Sequence, residues 1–244
     1  MMGIYLRAAD GAYADGVLVA GDSGRIARLG QALERAELIT SHRGFVGYSG
    51  YYKGVRVSVQ TSGMGCPSMA MVGSELLEYG VKRIIRIGTC SAFASGVMNG
   101  DLIVVTAAAA GDGTTRSLAL GSPYVCVPDF ELTASLIEHA RRLHVQSHLG
   151  PVVTVDVEPH LTASSTEGWR NQGLLAVEME SAVLFHLALR SGVGGGKAVH
   201  AASVLTVSDG LEGHPNGAQR FMSDKELAAA TERMHQVALD ALIS

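Results

Sequence analysis

Apolar residues run along this chain in two alternating rhythms. Short β-branched runs, apolar at nearly every position, are separated by longer stretches in which apolar residues recur every three or four places. The first rhythm belongs to strands covered on both faces, the second to helices with one buried stripe. VLVAG (17–21) reads as a strand whose GDSG turn leads into a helix through RIARLGQALERA. GYSGYYKGVRVSVQTSG holds two strands joined by a YKG turn. CPSMAMVGSELLEYG reads as a helix with Pro67 in its first turn, where the missing N–H does no harm. RIIRIGT (83–89), DLIVVTAAA, GPVVTVDV, LLAVEME and AVHAASVLTVSD are further strands. DFELTASLIEHARRL, SAVLFHLALRSG and DKELAAATERMHQVALDALIS are further helices, the last with Ser223 as its N-cap. Strands alternating with helices predict an α/β fold, a mostly parallel or mixed sheet with helices on both sides. No linker, charge block or repeat divides residues 1–244, so one domain is expected.

Composition narrows the class. With 47% hydrophobic and 17% charged residues the chain buries a sizeable core and is not disordered. A net charge of −4 argues against a nucleic-acid grip, which needs clustered Lys and Arg. Cys66, Cys90 and Cys126 form no CxxC pair, which fits a reducing cytoplasm better than a disulfide framework. The N-terminal stretch MMGIYLRAADGAY lacks the basic start and apolar run of a signal peptide, and no apolar run reaches the ~20 residues a membrane helix needs. A soluble, cytoplasmic protein is expected.

Several attractive patterns fail on inspection. SGVGGGKA (191–198) has Ser191 and Ala198 where a phosphate loop requires Gly and Ser or Thr. GDSGR is not G-x-S-x-G, so a nucleophile elbow is unsupported. The nine histidines show no metal-ligand spacing, and no metal is expected.

What remains is a set of charges in apolar surroundings. Arg25 opens a helix just after the Gly21-Asp22 turn, where free N–H groups and a guanidinium together suit an anion. Arg86 interrupts the apolar run RIIRIGTC near the carboxyl end of a strand, the place where ligands of open α/β sheets gather. Taken singly, Arg25 also reads as a solvated helix residue and Arg86 as half of a buried ion pair with Asp22 or Glu180. VEMESA carries Glu178 and Glu180 at the mouth of an apolar segment. Buried carboxylates need partners, and residues two apart point to different sides, so each is expected in its own environment.

At these residues the chain resembles the nucleoside phosphorylases of the hexameric bacterial purine nucleoside and uridine phosphorylase type. The resemblance runs in order through GDSGR, RGFVGYSGYYKG, TSGMG, KRIIRIGTC, DFELT, VEMES and VSDG, nearly the whole chain. It implies a single α/β domain with a central, partly closed mixed sheet flanked by helices. It also implies a homohexamer, a trimer of dimers, whose sites are completed by neighbouring subunits. Carried over by motif, Gly21, Arg25, Arg86 and Thr89 would hold phosphate, with Arg43 reaching the phosphate of an adjacent subunit. Met64, Met179 and Glu180 would hold the ribose, Glu180 accepting from its 2′- and 3′-hydroxyls. Cys90, Ser91 and Glu158 would line the base, and Glu178 would either join them or serve only a structural partner. Asp209, assisted by Arg220, would protonate or hydrogen-bond the departing base. Inorganic phosphate is the implied co-substrate, with no other cofactor.

This chain departs from the family pattern at four places. Tyr5 stands where the family has a histidine that reaches a neighbour's ribose 5′-hydroxyl. Ser23 replaces the proline of a GDP turn. Ser91 replaces a glycine after the GTC element. Glu158 stands where an aromatic residue stacks on the base, a task left to His160 or Tyr124. A uridine-specific Gln-x-Arg pair is absent, and Asp209 is present, so a purine substrate is favoured over uridine. Uridine phosphorolysis, hydrolysis without phosphate, and a nucleoside-binding protein without turnover are the competing readings.

Overall fold

A computed structural model describes residues 3–157, 162–211 and 219–244. Its strands are β1 (Gly16–Ala20), β2 (Glu34–Thr40), β3 (Gly47–Tyr52), β4 (Val55–Thr61), β5 (Arg83–Ala92), β6 (Leu102–Ala110), β7 (Ser147–Thr154), β8 (Ala176–Glu178), β9 (His200–Gly210) and β10 (Arg220–Phe221). They form one mixed sheet in the order β10-β9-β6-β7-β8-β5-β1-β4-β3-β2. An additional parallel pairing of β5 with β9 closes the segment β9-β6-β7-β8-β5 on itself. The expected α/β class and the partly closed mixed sheet are both observed.

Side chains alternate across this sheet, as a strand's period of two requires. In β1, Val17 and Val19 enter one core with Met69 and Leu76 of helix α2 (Cys66–Glu78) and Phe185 of α6 (Ser181–Ser191). Leu18 and Ala20 enter the opposite core with α1 (Ser23–Gln31), α4 (Phe130–Arg142) and α7 (Asp224–Ile243). β5 follows the same rule, with Ile84 on the first face and Ile85 and Ile87 on the second. Arg86 therefore falls on the α2/α6 face, where an apolar residue would otherwise continue the row. Shorter helices α3 (Gly113–Leu118) and α5 (Ala163–Asn171) complete the described elements.

Most expected elements lie where the pattern put them, and Ser223 caps α7 in a reciprocal box with Glu226. The first helix is a correction. It stops at Gln31, and the charged stretch ERAELIT forms edge strand β2 against β3, with a register irregularity after Glu34 and Arg35 at φ 51°. An exposed edge strand needs no apolar alternation, so its polar sequence continued the helical reading. The short elements α3, α5 and β10 also carried too little periodicity to be read.

Topology decides where the chemistry meets. Strands β1, β4, β5 and β9 are mutually parallel, so their carboxyl ends open on one edge. That edge carries Gly21 after β1, the Ser62-Gly63-Met64 turn after β4, Thr89 in β5 and Asp209 in β9. β8 runs antiparallel to β5, with Ser91 opposite Val177. Its direction carries Glu178, Met179 and Glu180 back along β5 toward Arg86.

Candidate active site

These segments enclose a cavity of about 480 Å³ lined by Gly21, Asp22, Ser23, Arg25, Met64, Arg86, Gly88, Thr89, Glu178, Met179 and Glu180. A larger groove of about 700 Å³ lies elsewhere, against α4, and gathers none of the expected residues.

Asp22 caps α1 by accepting from the Gly24 N–H at 2.7 Å, which opens the helix beside the cavity. Arg25 follows in the first turn and is buried. Its guanidinium donates to the Ile87 carbonyl at 3.3 Å, and among the described residues no carboxylate pairs with it. Burial lowers its pKa, partly offset by Asp22, and the nearby Arg86 and Arg28 charges push in the same direction as burial. Two guanidiniums thus face one cavity at the start of a helix, an arrangement that favours an anion.

Arg86 is buried to 3% exposure and held on one side by both carboxylates. Its Nε and Nη2 each lie 3.0 Å from Glu178 Oε2, and Nη2 lies 2.5 Å from Glu180 Oε2. A buried ion group of this kind persists only when its lone pairs and protons are satisfied, and for Glu178 they are. Besides Arg86, Glu178 accepts from the N–H groups of Glu180 and Ser181 at 3.0 and 2.9 Å, from the Ser181 hydroxyl at 2.9 Å, and from the Thr154 hydroxyl. Of the two readings of Glu178, a ligand contact or a structural partner, these contacts supply the structural partner. The residue borders the cavity, but its oxygens are committed to protein donors and its place is to anchor Arg86.

Glu180 has a sparser shell. Its Oε1 accepts from the Gly65 N–H at 2.5 Å and its Oε2 meets Arg86. Burial and the neighbouring Glu178 charge hold its carboxyl above the usual range, with Arg86 opposing them. Gly65 supplies that N–H from a φ of 84°, a conformation that side chains resist. The Cys66 thiol donates to the Met179 carbonyl at 3.2 Å, so the start of α2 grips both Met179 and Glu180. Met64, 81% exposed, stands at the rim.

Sequence reading passed over Gly88. A Cβ placed there would lie 2.2 Å from Arg86 Nη1, so the guanidinium packs against backbone that only glycine leaves open.

Beyond the cavity, the β5/β9 register shifts between Cys90, opposite Val207, and Ser91, opposite Asp209. Ser208 is the extra residue, and such a bulge re-aims the side chain that follows it. Asp209 is 2% exposed and accepts from the hydroxyl of Ser208 at 2.7 Å and from the Gln219 amide. Cys90 and Ser91 are buried beside it. Arg220 is not brought to Asp209. It pairs through its backbone with Gly210, and its exposed guanidinium lies 3.6 Å from Glu226, while Gln219 takes the place expected of it.

Tyr5 and Arg43 do not line this cavity. They sit together, the Arg43 guanidinium 5.9 Å from the Tyr5 ring centre. The segment bearing Tyr5 is pinned to α2, because Glu75 accepts from the N–H groups of Ile4, Tyr5 and Leu6 at 2.5, 2.8 and 2.8 Å. Glu158 and His160 lie outside the described residues. Tyr124 packs edge-on against His186, 5.8 Å between ring centres. Among the described residues, no cluster of His, Cys, Asp and Glu could hold a metal ion.

The family model of the phosphorylase superfamily matches residues 16–244. The chain belongs to this superfamily. Among its relatives is a purine nucleoside phosphorylase DeoD-type of Caldanaerobacter subterraneus, 36% identical over 86% of this chain and 89% of the relative. Another of that name, from Geobacillus kaustophilus, is 35% identical over 99% and 98%. A guanosine phosphorylase of Halorubrum lacusprofundi is 31% identical over 92% and 91%. The superfamily membership covers the whole cavity: every lining residue, from Gly21 to Glu180, falls inside the matched span.

Proposed function

We propose that this chain phosphorolyses a purine nucleoside, giving free base and (deoxy)ribose 1-phosphate. The observation that carries this reading is Arg25, a buried guanidinium without a carboxylate partner among the described residues, facing Arg86 across a cavity at the start of α1. The names of the relatives as purine nucleoside and guanosine phosphorylases support the substrate class.

In this reading phosphate sits against Gly21, Arg25, Arg86 and Thr89, and one of its oxygens attacks C1′ of the sugar. The C1′–N bond breaks as the new C1′–O bond forms, and its electron pair leaves with the base. The transition state carries positive charge on the sugar, which a fixed dianion beneath it stabilises. Met64 and Met179 wall the sugar and Glu180 accepts from its hydroxyls. Asp209 at the end of β9, beside Cys90 and Ser91, donates a proton or hydrogen bond to the departing base. Tyr5 and Arg43 enter the site of a neighbouring subunit in a hexamer built as a trimer of dimers. No cofactor beyond phosphate takes part, and the protein works in the cytoplasm.

The test is base release from adenosine, inosine, guanosine, methylthioadenosine and uridine, with and without inorganic phosphate. Purine release only when phosphate is present is the expected result. Release that is independent of phosphate replaces phosphorolysis by hydrolysis, uridine as the sole substrate moves the specificity, and no release from any of them ends the enzymatic reading.

A further inference from the structure

Arg86 is the cation of this cavity whose charge is already answered, and its two partners are not equivalent. Glu178 is tied by the backbone of Glu180 and Ser181 and by two hydroxyls as well as by Arg86. Glu180 Oε2, by contrast, is engaged by Arg86 Nη2 at 2.5 Å, and its other oxygen by one backbone N–H. While Glu180 holds its Nη2, Arg86 has fewer N–H groups to offer an incoming phosphate dianion. The same Glu180 lines the cavity next to Met179, where sugar hydroxyls would meet it.

We propose that Glu180 is an exchangeable partner of Arg86, so that sugar and phosphate bind cooperatively: hydroxyls donating to Glu180 replace the Nη2 donor and release it to phosphate. The inference rests on the phosphorolysis reading above. Arg86 does not drift when Glu180 lets go, because its Nε stays on Glu178 and its Nη1 stays against Gly88. Linkage makes the effect reciprocal: whatever factor the sugar adds to phosphate affinity, phosphate adds to sugar affinity.

The experiment is calorimetric titration of the full chain with inorganic phosphate, alone and saturated with a carbon-linked purine nucleoside whose glycosidic bond phosphate cannot cleave. The expected result is phosphate binding at least about fivefold tighter with the nucleoside present. Its 2′,3′-dideoxy counterpart, which cannot engage Glu180, leaves phosphate affinity unchanged. Glu180→Gln, checked for folding by circular dichroism, binds phosphate alone as tightly as the nucleoside-saturated parent and gains nothing further from the nucleoside. Equal phosphate affinity with and without the nucleoside, equal enhancement by the dideoxy compound, or coupling retained in Glu180→Gln overturns the proposal. If that variant does not fold, the comparison of the two nucleosides on the parent chain still decides. Independent binding alongside phosphate-dependent base release overturns the exchange and leaves the function standing. Absence of binding by either ligand, with no base release, overturns both.

Discussion

Glu178 and Gly88 together fix Arg86, and neither announces this in one dimension. A carboxylate saturated by Arg86 and four further protein donors is an anchor, and a glycine under a guanidinium is the floor it rests on. Gly88→Ala is therefore expected to displace Arg86 rather than unfold the chain, because the clash is with a side-chain end. A rise of about tenfold in the KM for phosphate, with a small change in Tm, is the expected reading in steady-state kinetics and a thermal melt. Asp209 differs in kind, since it lies along the sheet edge from the arginines and beside the bulge at Ser208. Asp209→Asn should lower kcat for purine cleavage by about 10²–10⁴-fold while phosphate affinity stays near that of the parent. Equal losses in both measurements would make Asp209 a structural residue.

α7 links the site to the stability of the chain. His235 on this helix is buried near Arg25 and Arg28, and burial first, then those charges, lowers its pKa to about 4. A group whose folded pKa is depressed in this way is neutral in the folded state and takes up a proton on unfolding between pH 6.5 and about 4. The unfolded chain then binds more protons, so stability falls as pH drops through that window, by about 3 kcal/mol at most. Burial also lowers the His186 pKa and contributes in the same direction. His235→Gln should flatten part of the acid-side loss when urea denaturation is compared at pH 7 and pH 5. An unchanged pH slope would show that His235 is not the group titrating. The depressed carboxyl of Asp240, held down by Lys53 and Tyr52 against the cost of burial, acts at lower pH, so it does not confuse the comparison.

The molecule as a whole presents Tyr5 and Arg43 as a pair that its own cavity does not use. The pinning of residues 4–6 onto Glu75 holds Tyr5 in place against α2. If a neighbour's site receives them, two damaged chains can repair each other. Arg43→Ala and Arg25→Ala are each expected to be weakly active alone. Mixed after dissociation and reassembly, they should recover about a quarter of the parent's activity, the share of intact sites when subunits pair at random. Activity in the mixture equal to the mean of the two variants would place Arg43 outside any shared site. Sedimentation of the parent chain tests the hexamer directly.

The alternating rhythm of the chain was enough to read an α/β fold, because buried strands and amphipathic helices leave periods of two and 3.6 whatever their neighbours are. It was enough to single out Arg86, Glu178 and Glu180 too, since charge in or beside an apolar run demands an explanation, and Arg25 stood out at the start of a helix. It could not divide their roles. Arg86 and Glu178 are 92 residues apart, and what joins them is the antiparallel register of β8 on β5. The same holds for Asp209, aimed by a bulge, and for Arg220, whose backbone joins the sheet while its side chain turns to Glu226. Local periodicity records which face a residue takes. Partner choice follows from strand order, register and the space a glycine leaves, which exist only once distant segments have met.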